Sequence, residues 1–156
     1  MTDFTKIKKI GYAQAFKAIT VGLIIAYIIM ALMDGPFWLF RFRYAPTILF
    51  AAVMIYIAGY FIGRLMAVWI LKHKQLAILF GIIGGFLIVW TATFIGSLIG
   101  FIKEGLPNQN EMSEPVYYYI YKPIAVVTMY GFFPIILVGT WFGLSIKKKG
   151  DKIIKS

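Results

Sequence analysis

Cysteine is absent from this 156-residue chain. Disulfides, thiolate nucleophiles and Cys-ligated zinc or iron–sulfur centres are therefore excluded. Histidine occurs once, as His73 between Lys72 and Lys74, and a single imidazole makes neither a bis-histidine haem nor a zinc site. Acidic residues number only six, with none between Asp34 and Glu104 and none between Glu114 and Asp151. That gap removes the carboxylates that usually relay protons or couple cations inside a membrane. It also leaves an intramembrane aspartyl protease short of its second, opposed acid. A Ser–His pair would need His73 to reach Ser97, which lies toward the other face, or Ser145, which has no carboxylate to orient the base. No glycine-rich phosphate loop follows a strand. The sequence thus points to no metal, no cofactor and no catalysis; a lipid-modifying membrane enzyme is the one catalytic alternative, because interfacial sites need few groups.

What fills the chain instead is apolar residues, 61% of the total, with a mean hydropathy of +0.83. They are gathered in four runs, residues 13–33, 47–71, 76–102 and 123–146. A hydrocarbon core about 30 Å thick takes about 20 apolar residues in a helix, and every run reaches that length. The segments between them are too short for a second domain with its own core, which needs at least about 40 residues. The expectation is an all-α integral membrane protein: one domain over residues 1–156, a bundle of four transmembrane helices. The first run resembles a signal peptide in having Lys6, Lys8 and Lys9 before it. It ends in Ala31-Leu32-Met33-Asp34 without a small-x-small cleavage site, so it reads as an uncleaved first helix.

The formal charge of +10 is distributed by side. If four helices alternate across the bilayer, one side receives Lys6, Lys8, Lys9, Lys17, Lys72, Lys74, Lys147, Lys148, Lys149, Lys152 and Lys155. The other receives Arg41, Arg43, Lys103 and Lys122, diluted by Asp34, Glu104, Glu111 and Glu114. Positive residues stay cytoplasmic, so both termini are expected inside (N-in/C-in), with anionic lipid rather than nucleic acid as the partner of the lysines. The brevity and lysine-rich ends point to a bacterial inner (cytoplasmic) membrane. On the outside, Phe37–Tyr44 after Gly35-Pro36 reads as an interfacial anchor. The polar stretch 107–111 precedes Tyr117, Tyr118, Tyr119 and Tyr121, which read as an aromatic belt in the loop 103–122. Trp69 and Trp141 fall near the inner ends of spans two and four, Trp38 at the outer boundary, and Trp90 in mid-span.

Helices in lipid associate through close packing of small residues rather than through hydrophobic force. Span three carries Ala77, Gly81, Gly85, Ala92, Gly96 and Gly100 on one face, and span two carries Ala52, Gly59, Gly63 and Ala67. The expectation is that these two stripes pack on each other across the tight turn 72–75, with a partner subunit or a second copy as the alternative contact. Pro134, between Gly131 and Gly139 in span four, predicts a kink.

One charge lies well inside a span. Arg64 stands four and eight residues after Tyr60 and Tyr56, a ladder on one helix face that makes the three residues candidates for holding a lipid headgroup or an anionic solute. The simpler role for Arg64 is to snorkel to the inner headgroups. Thr91, Thr93, Ser97, Thr128 and Thr140 supply further hydroxyls, which in spans mostly bond their own backbone. Two functions follow as expectations. The first is a non-catalytic membrane protein acting through helix–helix contacts, as an accessory, assembly or immunity-type subunit alongside other membrane proteins or copies of itself. The alternative is a small oligomeric channel or transporter for an anion or lipid-like solute, with Arg64 near the pathway.

Overall fold

The computed structural model describes residues 2–35, 45–72, 76–102 and 113–154. The aromatic segment with Trp38, Arg41 and Arg43, the turn with His73 and Lys74, and the polar stretch 107–111 with Lys103 and Glu104 lie outside the described residues.

All described elements are helical. They are α1 (Thr2–Asp34), α2 (Ala45–Leu71), α3 (Ala77–Gly100), the short α4 (Ser113–Val116), a π-helical turn (Tyr117–Tyr121) and α5 (Lys122–Ile154). Four segments are long and apolar enough to cross a membrane: Phe4–Leu32, Leu49–Leu71, Ala77–Gly100 and Tyr117–Lys152. They point to an integral membrane protein. Two boundaries differ from the sequence reading. α1 begins eleven residues before the apolar run at Ala13, because Lys6, Lys8 and Lys9 interrupt hydropathy without interrupting helix propensity. The tyrosines expected in a loop are instead helical and extend α5 backward. Tyr117 stacks on Tyr121 with centroids 5.6 Å apart, and the Lys122 ammonium lies over the Tyr118 ring. α1 stops at Gly35, whose φ of 85° places it in the left-handed region that ends helices and that glycine tolerates best. α5 runs on through Pro134 without a break in its helix.

The helices form a closed ring in the order α1, α2, α3, α5, with successive members antiparallel and α5 back against α1. The start of α1 and the end of α5 therefore lie at one end of the bundle, where Leu71 of α2 meets Gly150 of α5. We call this the terminal end. The core is concentrated there: Ala15, Ala18, Met66, Ala67, Ile70, Ala77, Phe142 and Ile146 are all buried together.

The closest backbone approaches lie within two hairpins. In α1/α2, a Cβ added to Gly63 would stand 2.6 Å from the Ala15 Cβ, and one on Gly11 would stand 2.7 Å from that of Ala67. Gly59 faces Ile19. In α3/α5, Gly81 lies against the backbone of Gly139 and Gly143, Gly143 against the Ala77 carbonyl, and Gly85 against Ile135. Contrary to the expectation from the sequence, the two small-residue stripes do not pack on each other. Each seats its own hairpin partner, and α2 meets α3 through bulkier contacts, Met66 on Gly84 and the edge-to-face pair Trp69–Phe80. A stripe of small residues shows that a surface admits close approach; it does not say which helix approaches. Gly96 has open space where a side chain would go, and Gly100 has only the Tyr119 ring, at 3.5 Å.

Candidate functional site

Two features stand out from this frame, a seam of cations and aromatic rings along α1/α2 and an apolar groove at the half of the bundle away from the termini.

The seam is built from two ladders of four-residue spacing running antiparallel. Along α2 the positions are Val68, Arg64, Tyr60 and Tyr56, continued past its end by Lys72, whose N–H still bonds the Val68 carbonyl at 2.9 Å; on α1 they are Phe4, Lys8, Tyr12, Phe16 and Thr20. Residues four apart share a helix face, so each ladder is one edge of its helix. The glycine contacts at Gly11 and Gly63 bring those edges together. Tyr12 and Tyr60 lie 5.5 Å apart by centroid, and Phe16 meets Tyr56 edge to face at 5.3 Å. Thr20 Oγ1 donates to the Phe16 carbonyl at 2.9 Å and lies 2.8 Å from Tyr56 Oη. Its single proton is committed to the carbonyl, so the phenol donates to it.

Arg64 occupies the middle of the seam. Its Nη1 donates to Tyr60 Oη at 2.6 Å, and its Cζ stands 4.5 Å from the centre of the same ring. The guanidinium is therefore folded onto the preceding turn of α2, not extended toward the nearer, terminal end as snorkelling requires. Its Nε is buried and has no hydrogen-bond partner. No carboxylate exists in the sequence from Phe4 to Met33 or from Gly35 to Lys103, so the acids of α1, Asp3 and Asp34, stand only at its two ends and neither ladder of the seam contains one. At the terminal end of the seam the Lys8 and Lys72 ammonium groups both approach the Phe4 ring, at 4.4 and 5.2 Å from its centroid.

The structure thus brings Arg64, Tyr60 and Tyr56 together on one edge. Their partners on α1 were not evident from the sequence, although the four-residue spacing from Phe4 to Thr20 is the signal that marks them. A further polar residue is Gln14, 4% exposed beside Ala15 and Ala18. The hydroxyls of the other hairpin behave as expected of span residues: Thr128 donates to the Ile124 carbonyl at 2.7 Å and accepts the Trp90 indole N–H at 2.9 Å. Mid-span Trp90 is thereby satisfied.

The groove lies between α1, α3 and α5, with Ile55 of α2 at its edge, and encloses about 310 Å³. Gly22, Ala26, Gly85, Gly131, Pro134 and Gly139 give it low walls, and aliphatic side chains such as Ile29, Ile88 and Val127 complete it. Tyr130 is its one lining residue with a polar side chain. A dry, apolar space of this kind takes apolar occupants, since nothing in it would hold water. An added side chain at Gly22 meets nothing within 4 Å. Among the described residues, no group of acids and histidine could hold a metal. No protein-family model matches the chain, and neither a curated protein nor a solved structure matches it.

Proposed function

We propose that this chain is a non-catalytic integral membrane protein, with both termini cytoplasmic, that acts through contacts inside the bilayer as an accessory, assembly or immunity-type subunit of a membrane complex. The groove is the observation that carries this reading. Helix interfaces in lipid are made where glycine and alanine let another backbone approach, and most such positions in this bundle are already used within its hairpins. The groove is where small residues of α1, Gly22 and the exposed Ala26, remain uncovered. Its apolar lining also weighs against the channel or transporter alternative, because a single copy offers no polar path through it.

The test is Gly22→Leu, which projects a bulky side chain into the groove from a position where an added Cβ meets nothing within 4 Å. Native mass spectrometry of the gently solubilised assembly is expected to show a foreign membrane subunit at fixed stoichiometry with the natural chain and its loss with Gly22→Leu. Gly96→Leu, placed away from the groove, should retain it. A partner that survives Gly22→Leu would remove the groove from the interface. An assembly made only of copies of this chain, in fixed number, would shift the reading toward a pore at their symmetry axis.

A further inference from the structure

We infer that the terminal end of the α1/α2 seam is a binding site for an anionic phospholipid, its phosphate held between Lys8 and Lys72. Three observations lead there. Two ammonium groups, one from α1 and one from the turn just after α2, converge on one aromatic ring, Phe4, where like charges repel unless an anion joins them. The acids of this end, Asp3 and Asp151, fall outside both ladders, and Asp151 is exposed on α5. Below them on the same seam the Arg64 charge is part-buried and neither ladder contains a carboxylate, so the field along this face favours a negative ligand over a zwitterionic one.

The remainder of the seam suits the rest of a lipid. From Lys8 inward it offers Tyr12 and Phe16, whose rings form a continuous apolar edge with Tyr60 and Tyr56. A phosphate at headgroup level would thus leave its acyl chains lying along aromatic faces. Basic clusters between helices at the membrane surface recognise anionic headgroups by this combination of charge and depth. The chemistry recognised is a phosphodiester monoanion with no headgroup cation to cancel it, and the acyl chains distinguish a lipid from free phosphate.

The full chain is purified in neutral detergent, incubated with phosphatidylglycerol or phosphatidylcholine of the same acyl composition, and retained lipid is counted by native mass spectrometry. Phosphatidylglycerol should be retained in preference. Lys8→Gln/Lys72→Gln should lower its affinity by about 25-fold, since each ammonium near an anionic surface contributes about fivefold. Lys147→Gln/Lys149→Gln removes the same charge from exposed positions of α5 at the same end and should keep the preference, as should Lys8→Arg/Lys72→Arg. Equal losses in both glutamine variants would overturn the site in favour of unspecific attraction. Displacement of the lipid by equimolar inorganic phosphate would overturn the lipid assignment and leave a free-anion site. The affected lysines are at the surface of the fold, and unchanged helicity of the variant confirms that binding alone was lost.

Discussion

Arg64 shows how much a single spacing discloses and where it stops. Its relation to Tyr60 and Tyr56 is legible because residues four apart on a helix must share a face. Its surroundings are not, because hydropathy drew the start of span one at Ala13, cutting Phe4, Lys8 and Tyr12 away from the ladder they belong to. A helix that leaves the hydrocarbon does not have to end, and α1 continues to Thr2. The direction of the guanidinium was equally hidden, since a sequence gives the depth of an arginine but not the acceptor nearest to it. The consequence is measurable. Tyr60→Phe deletes the acceptor of a charged donor and is expected to destabilise the protein by about 1.5–3 kcal/mol. Tyr56→Phe deletes a neutral hydrogen bond to Thr20, expected at about 0.5–1.5 kcal/mol. Thermal unfolding in detergent compares the two, and a smaller effect at Tyr60 would mean that Arg64 is stabilised by something other than that phenol.

Between helices, the glycines sort into those that carry a contact and those that do not. Gly81, Gly139 and Gly143 let the α3 and α5 backbones touch, as Gly11 and Gly63 do for α1 and α2. The stripe of span three was visible in the sequence; that its partner is α5 was not, because Gly139 and Gly143 form the matching surface only once the chain has passed through the segment 103–112 and returned. Bundle closure decided the pairing: with α2 already seated on α1 through Gly63 and Ala67, α3 is free to seat its own glycines on α5. Gly143→Ala therefore pushes a methyl into the Ala77 carbonyl and is expected to cost about 1–3 kcal/mol by overpacking. Gly96→Ala places the same methyl in open space and should be neutral or slightly stabilising, by up to about 1 kcal/mol from helix propensity. Chemical denaturation of the two variants in the same detergent gives the comparison, and equal losses would show that α3 packs on something at Gly96 that the bundle alone does not provide.

For the whole molecule, the ring of helices makes the charge distribution a structural property. Lys6, Lys8, Lys9, Lys72, Lys147, Lys148, Lys149 and Lys152 all fall at the end that carries both termini, whichever way the protein faces. The number of long apolar helices was legible because about 20 residues of low polarity have few other fates, and the even number already places the termini together. The orientation we propose rests on a separate rule, that lysine-rich segments flanking spans stay in the cytoplasm. A fluorescent reporter that folds only in the cytoplasm, fused after Ser156, is expected to light up, and a periplasm-dependent phosphatase at the same position is expected to be inactive. Inserted within 107–111, the phosphatase should become active. Replacing Lys147, Lys148 and Lys149, all exposed, with glutamine while adding lysines within 107–111 removes the asymmetry, so it should yield a mixed population of orientations. If the phosphatase is instead active after Ser156 in the natural chain, the lysine-rich end faces outward. The anionic surface that Lys8 and Lys72 meet would then be that of the outer leaflet.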